Sequence, residues 1–387
     1  MLWGRGGSRQ RPYDLVIADQ VSVFCPVVKA LSATPVLFYC HFPDLLLSPP
    51  RHSALRRAYR WPLDWAEEAA AGTADRVLVN SKYTAGVFCR TFPRLYERGV
   101  RPAVLYPGVD AEAAAFTDAL SDSDESGGED GGGGGEDGDA GDTPGGSAGP
   151  SPPPSARGAP PGPPPGRRRR TDAGLLGLPD KAVGFFRSRR VLLSIARFER
   201  KKRVELVLEA LAELFQRSPG SRRDVRVVLA GGWDPRVPES AAYLAELRGA
   251  ARDLGLRGCV AFVTNFTEEN KWAMLRHCEA LVYPPAGEHF GIVPVEAMMA
   301  GRPVVACNSG GPLETVRQGS RPGGVLCDPQ PAAFGAAMAR VLAPGEADRM
   351  GARAREFVRA KFSRDKFGER LMRHVAALVG PGPGPGS

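Results

Sequence analysis

No run of about 18 uninterrupted apolar residues occurs in this 387-residue chain, so a conventional membrane-spanning helix is not expected. The nearest candidate, Leu15 to Phe42, is broken by Asp19, Gln20, Lys29 and Pro35. The opening Met1 to Gly7 has no hydrophobic segment behind its charge, which predicts no signal peptide. Cysteine is sparse. The seven residues at 25, 40, 89, 259, 278, 307 and 327 are odd in number, widely spaced and free of any CxxC pair. That pattern excludes a zinc ribbon and fits a reducing compartment. The five histidines are scattered too, which gives a metal enzyme little support. The glycine run Gly131–Gly135 is not followed by Gly-Lys-Ser/Thr, so it is no P-loop. No Ser-His-Asp or Cys-His arrangement stands out. The basic run Arg167–Arg170 has no interleaved aromatics, and without a helix-turn-helix, RRM or zinc-finger pattern no nucleic-acid partner is expected.

What is present is an ordinary globular composition with one aberrant stretch. Hydrophobic residues at 43% and charged residues at 24% rule out collagen, a coiled coil or a wholly disordered chain. The 47 glycines and 36 prolines are concentrated locally: Ser121–Gly166 holds 15 Gly and 10 Pro, and not one Ile, Leu, Val, Met, Phe, Tyr or Trp. Such a segment has no apolar surface to offset its ordering entropy, and is expected to be disordered. It carries nine acidic residues and one arginine, so against a total charge of +8 the rest of the chain is +16. A globular part that basic points to an anionic partner: a phosphorylated ligand, an anionic membrane surface or a nucleic acid.

On both sides of this tract strands alternate with helices, the pattern of a parallel sheet covered on both faces. Before it, strands are expected near 14–18, 35–39, 75–79 and 103–106. After it they are expected at 191–196, 225–230, 259–263, 280–283, 303–307 and 324–327, with helices near 240–253, 268–277, 293–300, 312–317, 331–342, 346–360 and 365–378. The organisation expected is therefore a first α/β lobe over 11–120, a disordered linker over 121–184, a second lobe over 185–378 and a disordered tail over 379–387. The first lobe is short and opens on a strand without a glycine-rich turn, like the later part of a larger domain.

Ligands of such sheets bind beyond the carboxyl ends of the strands, and the candidate residues lie there. Tyr283 to Glu296 runs from a strand end through a Pro/Gly loop into a helix. With Pro294 at its first position, the amides of Gly291, Ile292, Val293 and Val295 would gather at a positive helix end suited to a phosphate or sugar edge. Glu288 and Glu296 supply acceptor-only carboxylates for ligand hydroxyls, although Glu296 could equally serve the helix dipole. Asn308 to Glu314 repeats the construction, with Gly310 and Gly311 ahead of Pro312, either as a second ligand-facing nest or as a well-capped helix. Arg197, Arg200, Lys201, Lys202 and Arg203 follow another strand, and Gly231-Gly232 marks a tight turn after the next. Together these loops describe a diphosphate cradle with sugar-hydroxyl acceptors beside it. In the first lobe, His41 follows a strand end and would face the cleft. The Asp-x-Asp triplets Asp122–Asp124 and Asp137–Asp139 lie in the acidic tract, where no preorganised metal site is expected.

The pair Glu288 and Glu296 resembles the E-x7-E signature of retaining family-4 glycosyltransferases of the GT-B fold, two Rossmann-like lobes with parallel sheets across a cleft. Phe38-Tyr-Cys-His41-Phe-Pro-Asp44-Leu-Leu-Leu47, Leu78-Val-Asn80-Ser81, Arg197-Phe-Glu-Arg-Lys-Lys202 and Glu288-His-Phe-Gly-Ile-Val-Pro294 are similar to the alpha-1,3/1,6-mannosyltransferases of dolichol-linked oligosaccharide assembly. The resemblance covers about 12–115 and 185–378. It implies GDP-mannose as donor, a dolichyl-diphosphate-linked Man-GlcNAc2 acceptor, alpha-1,3 then alpha-1,6 transfer at the cytosolic face of the endoplasmic reticulum membrane, and no metal or other cofactor. It places Glu288 on the donor sugar and Glu296 on the nucleotide ribose. Arg197 and Lys202 would neutralise the diphosphate, and His41 would reach the transferred sugar. Gly231, Gly232, His289, Phe290, Gly291, Ile292, Val293, Gly310 and Gly311 would complete the donor site. By the same resemblance the opening strand of the first lobe, its Gly-Gly-Ala-Glu-type loop and membrane-associating sequence are missing. Donor binding is then expected to survive better than turnover, with an inactive nucleotide-binding or scaffold protein as the alternative.

Overall fold

A computed structural model describes residues 13–47, 54–110, 173–316 and 322–380. The whole Gly/Pro/acidic tract, with both Asp-x-Asp triplets, and 381–387 of the tail lie outside these residues. The first lobe holds four parallel strands in sequence order: β1 (Val16–Asp19), β2 (Val36–Cys40), β3 (Arg76–Val79) and β4 (Ala103–Val104). The second holds six: β5 (Arg190–Ile195), β6 (Val225–Gly231), β7 (Val260–Thr264), β8 (Ala280–Tyr283), β9 (Val304–Cys307) and β10 (Gly324–Cys327). All pair in parallel, in the order β10-β9-β8-β5-β6-β7. The strands and the helices from 238 onward begin and end within two residues of where the apolar runs place them.

The second sheet is buried on both sides, as a parallel sheet must be. Side chains alternate along a strand. Val191, Leu193 and Ile195 therefore enter one core with Val228, Leu281 and Val304, while Leu192 enters the other with Val227, Val282 and Val305. The helix Glu268–His277 contributes Trp272, Ala273 and Leu275 to the first core; the helix Glu205–Arg217 contributes Leu208, Leu211 and Leu214 to the second.

Two lobe boundaries need correction. Residues 173–184 are folded, with a short turn of helix at Ala173–Leu175 and a helix at Asp180–Ser188. Leu175, Leu178 and Ala182 are buried in the second lobe's core, and Asn270 Nδ2 donates to the carbonyls of Gly174 (2.9 Å) and Leu176 (3.0 Å). These apolar side chains are what the preceding tract lacks. The last helix, Arg364–Val379, does not close the second lobe: Phe367, Leu371 and Leu378 pack on Leu37, Leu78 and Leu105 of the first. It covers a sheet face that the described helices of that lobe leave open. The crossing is fastened where Val109 N donates to Phe362 O (2.8 Å) and Arg364 N to Val109 O (3.2 Å).

Candidate active site

The order of the second sheet fixes where a ligand belongs. From β5 the chain runs outward through β6 and β7, then returns to place β8 on the other flank of β5 and runs outward again. The loops after β5 and β8 therefore diverge, and the crevice between them is the binding position of such sheets. The β5 loop passes through a short 3-10 turn, Arg200–Lys202, ended by Arg203 in the left-handed conformation (φ 49°). That turn directs Lys202 across the crevice to the β8 loop, where Nζ lies 2.6 Å from Glu288 Oε2. Both side chains are 17% exposed, and Tyr283 OH donates to the same carboxylate oxygen at 3.0 Å. Burial raises the Glu288 carboxyl, but the Lys202 ammonium and the Tyr283 hydroxyl outweigh it and leave the group below its ordinary value. Burial and the neighbouring carboxylate push the Tyr283 hydroxyl well up, so it stays protonated as a donor.

This pair lies on the wall of a cavity of about 550 Å³. Arg197 and Lys202 come from the β5 loop, Gly231 and Gly232 from the end of β6, and the run from Glu288 to Val293 from the β8 loop and the helix start. Arg197 is held by Glu199 at 2.8 Å and remains 65% exposed, accessible to a second anion. The first lobe contributes His41, at the end of β2, and Asn80, at the end of β3. His41 Nε2 is 2.8 Å from Asp19 Oδ1, and its backbone N–H donates to Gln20 Oε1 at 2.9 Å. Asn80 is buried and donates from Nδ2 to the His41 carbonyl at 2.9 Å, which leaves its Oδ1 buried without a partner among the described residues. Across the cleft the Phe42 and His289 rings stack at 3.5 Å, and Ser81 Oγ donates to His289 O at 2.6 Å. Burial holds the His289 ring below its ordinary value, so it is neutral at pH 7.

Three expected residues, Glu296, Gly310 and Gly311, do not line the cavity, and the helix start is shifted. Gly291 takes the left-handed conformation (φ 80°) and is itself the N-cap, so the helix starts at Ile292 and Pro294 is its third residue rather than its first. The residues that bring the open helix start to the cavity are Gly291, Ile292 and Val293; Val295 falls beyond the open turn. Glu296 is carried one turn into the helix and does not line the cavity. Its carboxylate meets Lys271 Nζ at 2.8 Å, each 13% exposed, and Lys271 also holds Glu268 at 2.6 Å. Burial raises the Glu296 carboxyl despite this partner. Gly310 and Gly311 lie behind the β8 loop: a Cβ on either would stand 2.4 Å from the carbonyl oxygen of Glu288 or Phe290 respectively. They support the loop from behind and are not among the residues that line the cavity, and Glu314 turns away from the cavity toward the first lobe. Asn80, Tyr283 and Lys271 carried no assigned role in the sequence. The signal for Asn80 is its place at a strand end within the Leu78-Val-Asn80-Ser81 motif; the others are set by packing.

Gly231 is a close-packing position. A Cβ there would lie 1.8 Å from Ala196 O, inside the loop that carries Arg197. Gly231→Ala is therefore expected to cost about 1–3 kcal/mol of stability through overpacking, measurable by urea unfolding, because the added methyl must displace the β5 loop that carries Arg197.

Sequence comparison follows the same division of the chain. The "Glycosyl transferases group 1" family profile matches residues 180–357, and "Glycosyltransferase Family 4" matches residues 5–113. Alpha-1,3/1,6-mannosyltransferase ALG2 of Mus musculus is 36% identical over 370 residues, spanning 95% of this chain and 74% of that protein. The Homo sapiens protein of the same name is 35% identical over the same shares. Among solved structures, sucrose-phosphate synthase from Thermosynechococcus elongatus superposes with a TM-score of 0.63 at 21% identity, covering 95% of this chain and 74% of that one. Anabaena Alr3699/HepE in complex with UDP and glucose gives 0.61 at 17% identity, covering 94% and 78%. At these identities the structures show the fold, which is GT-B. With relatives above 30% identity along nearly its whole length and the family's two lobes in place, the chain belongs to the alpha-1,3/1,6-mannosyltransferase family of glycosyltransferases.

Proposed function

We propose that the protein transfers mannose from GDP-mannose to dolichyl-diphosphate-linked Man-GlcNAc2, alpha-1,3 then alpha-1,6, in the assembly of the N-glycan precursor at the cytosolic face of the endoplasmic reticulum membrane. The observation that carries this reading is the Lys202–Glu288 pair at the sheet's switch point, facing His41 and Asn80 of the other lobe across one cavity. Without ligand the two charges satisfy each other. A bound nucleotide sugar separates their duties: Lys202, Arg197 and the Ile292 and Val293 amides take the diphosphate, and the ionised Glu288 takes sugar hydroxyls. The unpartnered Asn80 Oδ1 is an acceptor for one further hydroxyl.

Transfer breaks the bond between the anomeric carbon and the diphosphate oxygen, forms the bond to the acceptor oxygen on the same face, and moves the acceptor proton to the leaving phosphate. Cations aimed at the departing diphosphate stabilise the charge that develops there, and the residues that the two lobes bring to one cavity set the geometry. Glu296 on the nucleotide ribose belongs to this proposal. It requires the carboxylate to share itself between Lys271 and the ribose. Among the described residues no helix is long and apolar enough to cross a membrane, so this reading assigns the described lobes a position at the membrane face rather than a span through it.

A nucleotide-binding protein without turnover has no observation in its favour, because both lobes supply residues to the cavity. Calorimetry with GDP, UDP and ADP tests the donor class: GDP is expected to bind at least about tenfold more tightly, a difference near 1.4 kcal/mol. Equal affinities would remove the guanine assignment. Absence of labelled product from GDP-mannose and lipid-linked acceptor would remove the transfer itself.

A further inference from the structure

We propose that Glu314 is a positioning residue that sets the alignment of the two lobes, and that it does so from the segment on which the donor loop rests. The proposal builds on the mannosyltransferase reading and assigns a function within it to a carboxylate outside the cavity.

Glu314 lies in the second lobe, in the short helix Pro312–Thr315. Its two oxygens reach the first lobe: Oε2 accepts from Lys82 N at 3.0 Å and Oε1 from Tyr83 N at 3.1 Å. Those are the first two residues of the helix Lys82–Thr91, whose opening amides have no partner within the helix. A carboxylate at that end also meets the positive pole of the helix. Oε2 accepts a third bond, 2.8 Å long, from the hydroxyl of Tyr106, which follows β4 of the first lobe in the chain but is buried in the second lobe's core beside Phe290 and Phe362. The Tyr106 ring lies edge-on to Phe362 at 5.1 Å, beside the Val109–Ser363 crossing of the two lobes, with Lys361 Nζ 4.9 Å above it. Lys361 Nζ is 3.4 Å from the Glu314 carbonyl. One side chain thus joins a first-lobe helix to the segment where the chain crosses between the lobes.

The same segment carries the donor loop. Gly311 N donates to Glu288 O at 2.7 Å, and Gly287 N to Ser309 Oγ at 3.0 Å. The close stacking of Gly310 and Gly311 under Glu288 and Phe290 leaves no room for the loop to shift without the segment. Next to the clasp, Ser81 donates to His289 O from the residue before Lys82. The lobe that brings His41 to the sugar is therefore fastened to the backbone that presents Glu288. Loss of Glu314 frees the orientation of His41 relative to Glu288 while Lys202, Arg197 and the Ile292 and Val293 amides stay together in the second lobe. Transfer should suffer, and nucleotide binding should not.

The test uses Glu314→Ala and Glu314→Gln in the full chain, with Lys82→Pro and Lys82→Ala. Proline suits the first position of a helix and follows the extended Ser81 without strain, so Lys82→Pro deletes only the amide donor and the side chain; Lys82→Ala deletes the side chain alone. In Glu314→Ala the Lys82 and Tyr83 amides are expected to exchange hydrogen at least about tenfold faster. Its kcat should fall about tenfold to thirtyfold with the GDP Kd within about twofold of wild type, and Glu314→Gln should fall between. Lys82→Pro should lower kcat several-fold, Lys82→Ala should leave it unchanged, and Lys82→Pro should add nothing on top of Glu314→Ala. Spin labels coupled through ketone-bearing residues at the exposed positions Glu97 and Arg340 should give a narrow interlobe distance in wild type and a broadened one in Glu314→Ala.

An unbroadened distance in Glu314→Ala overturns the proposal, as does faster exchange with unchanged kcat. A parallel loss of GDP affinity also overturns it, because the residue would then act through the donor loop alone. If the wild-type chain does not use GDP-mannose, the proposed function fails, while the exchange and distance measurements still decide the clasp.

Discussion

Glu288→Gln is expected to lower mannosyl transfer by about 10²–10³-fold while GDP binds as tightly as before, or more tightly. The asymmetry follows from what the carboxylate touches. In the ligand-free site it accepts from Lys202 and Tyr283, and the Lys202 contact keeps it ionised against the effect of its burial. In the donor complex proposed above, the ionised group would form charge-assisted bonds to sugar hydroxyls, which are about twice as strong as neutral ones. A glutamine keeps the shape but not the charge. It offers one acceptor oxygen where the carboxylate has two, and with that oxygen turned to Lys202 and Tyr283 its NH₂ is what remains for the sugar. GDP has no sugar to miss that carboxylate. The diphosphate meanwhile gains a Lys202 no longer held by a counter-charge, so its affinity should hold or rise. Steady-state transfer and calorimetry on one preparation check the split. Equal losses in both would place Glu288 on the nucleotide instead of the sugar.

The parts of this site that could be read from sequence are those set by neighbours along the chain. Val191–Ile195 and Ala280–Tyr283 are short apolar runs, each followed by a polar or glycine-bearing loop. A parallel strand buried on both faces must look like that, which is why the strand ends, and the cationic and acidic loops beyond them, fall where expected. What could not be read depends on contacts distant in sequence or on a single backbone angle. Gly291 in the left-handed conformation moves the helix start and carries Glu296 off the cavity wall; nothing in Pro294 announces this. Lys271 is 25 positions from Glu296, and Glu314 is 232 from Lys82, so neither pairing has a local signature. The helix Arg364–Val379 reads as amphipathic in either lobe, and only the uncovered face at Leu37 and Leu78 decides which it joins. Gly310-Gly311 shows the limit of motif reading most directly. Two glycines before a proline suit a ligand-facing nest and a well-capped helix equally, and neither reading announces the close backbone crossing under Glu288 and Phe290 that the structure shows.

Lys202→Ala is the complementary perturbation, expected to weaken GDP by about 10–100-fold, the worth of one charge-assisted bond, and guanosine hardly at all. Its second consequence is a change in pH dependence whose sign is set by Glu288. In wild type the folded-state carboxyl lies below its unfolded value. It therefore contributes stability that is present above the unfolded value and is lost as pH falls through the folded one. Without Lys202 the upward effect of burial remains with only the Tyr283 hydroxyl and the partly buried His289 nearby, and the carboxyl moves above its ordinary range. The variant then carries a buried, poorly compensated carboxylate at neutral pH, and relieves that cost by taking up a proton as pH falls through the raised value. The melting-temperature gap between wild type and Lys202→Ala should accordingly be largest near pH 7 to 8 and shrink toward pH 4. Residual transfer should fall over the same acid range, since protonated Glu288 can no longer hold sugar hydroxyls as an ion. A gap constant from pH 8 to pH 4, together with an unchanged GDP-to-guanosine affinity ratio, would show that Lys202 neither fixes the charge of Glu288 nor meets the diphosphate.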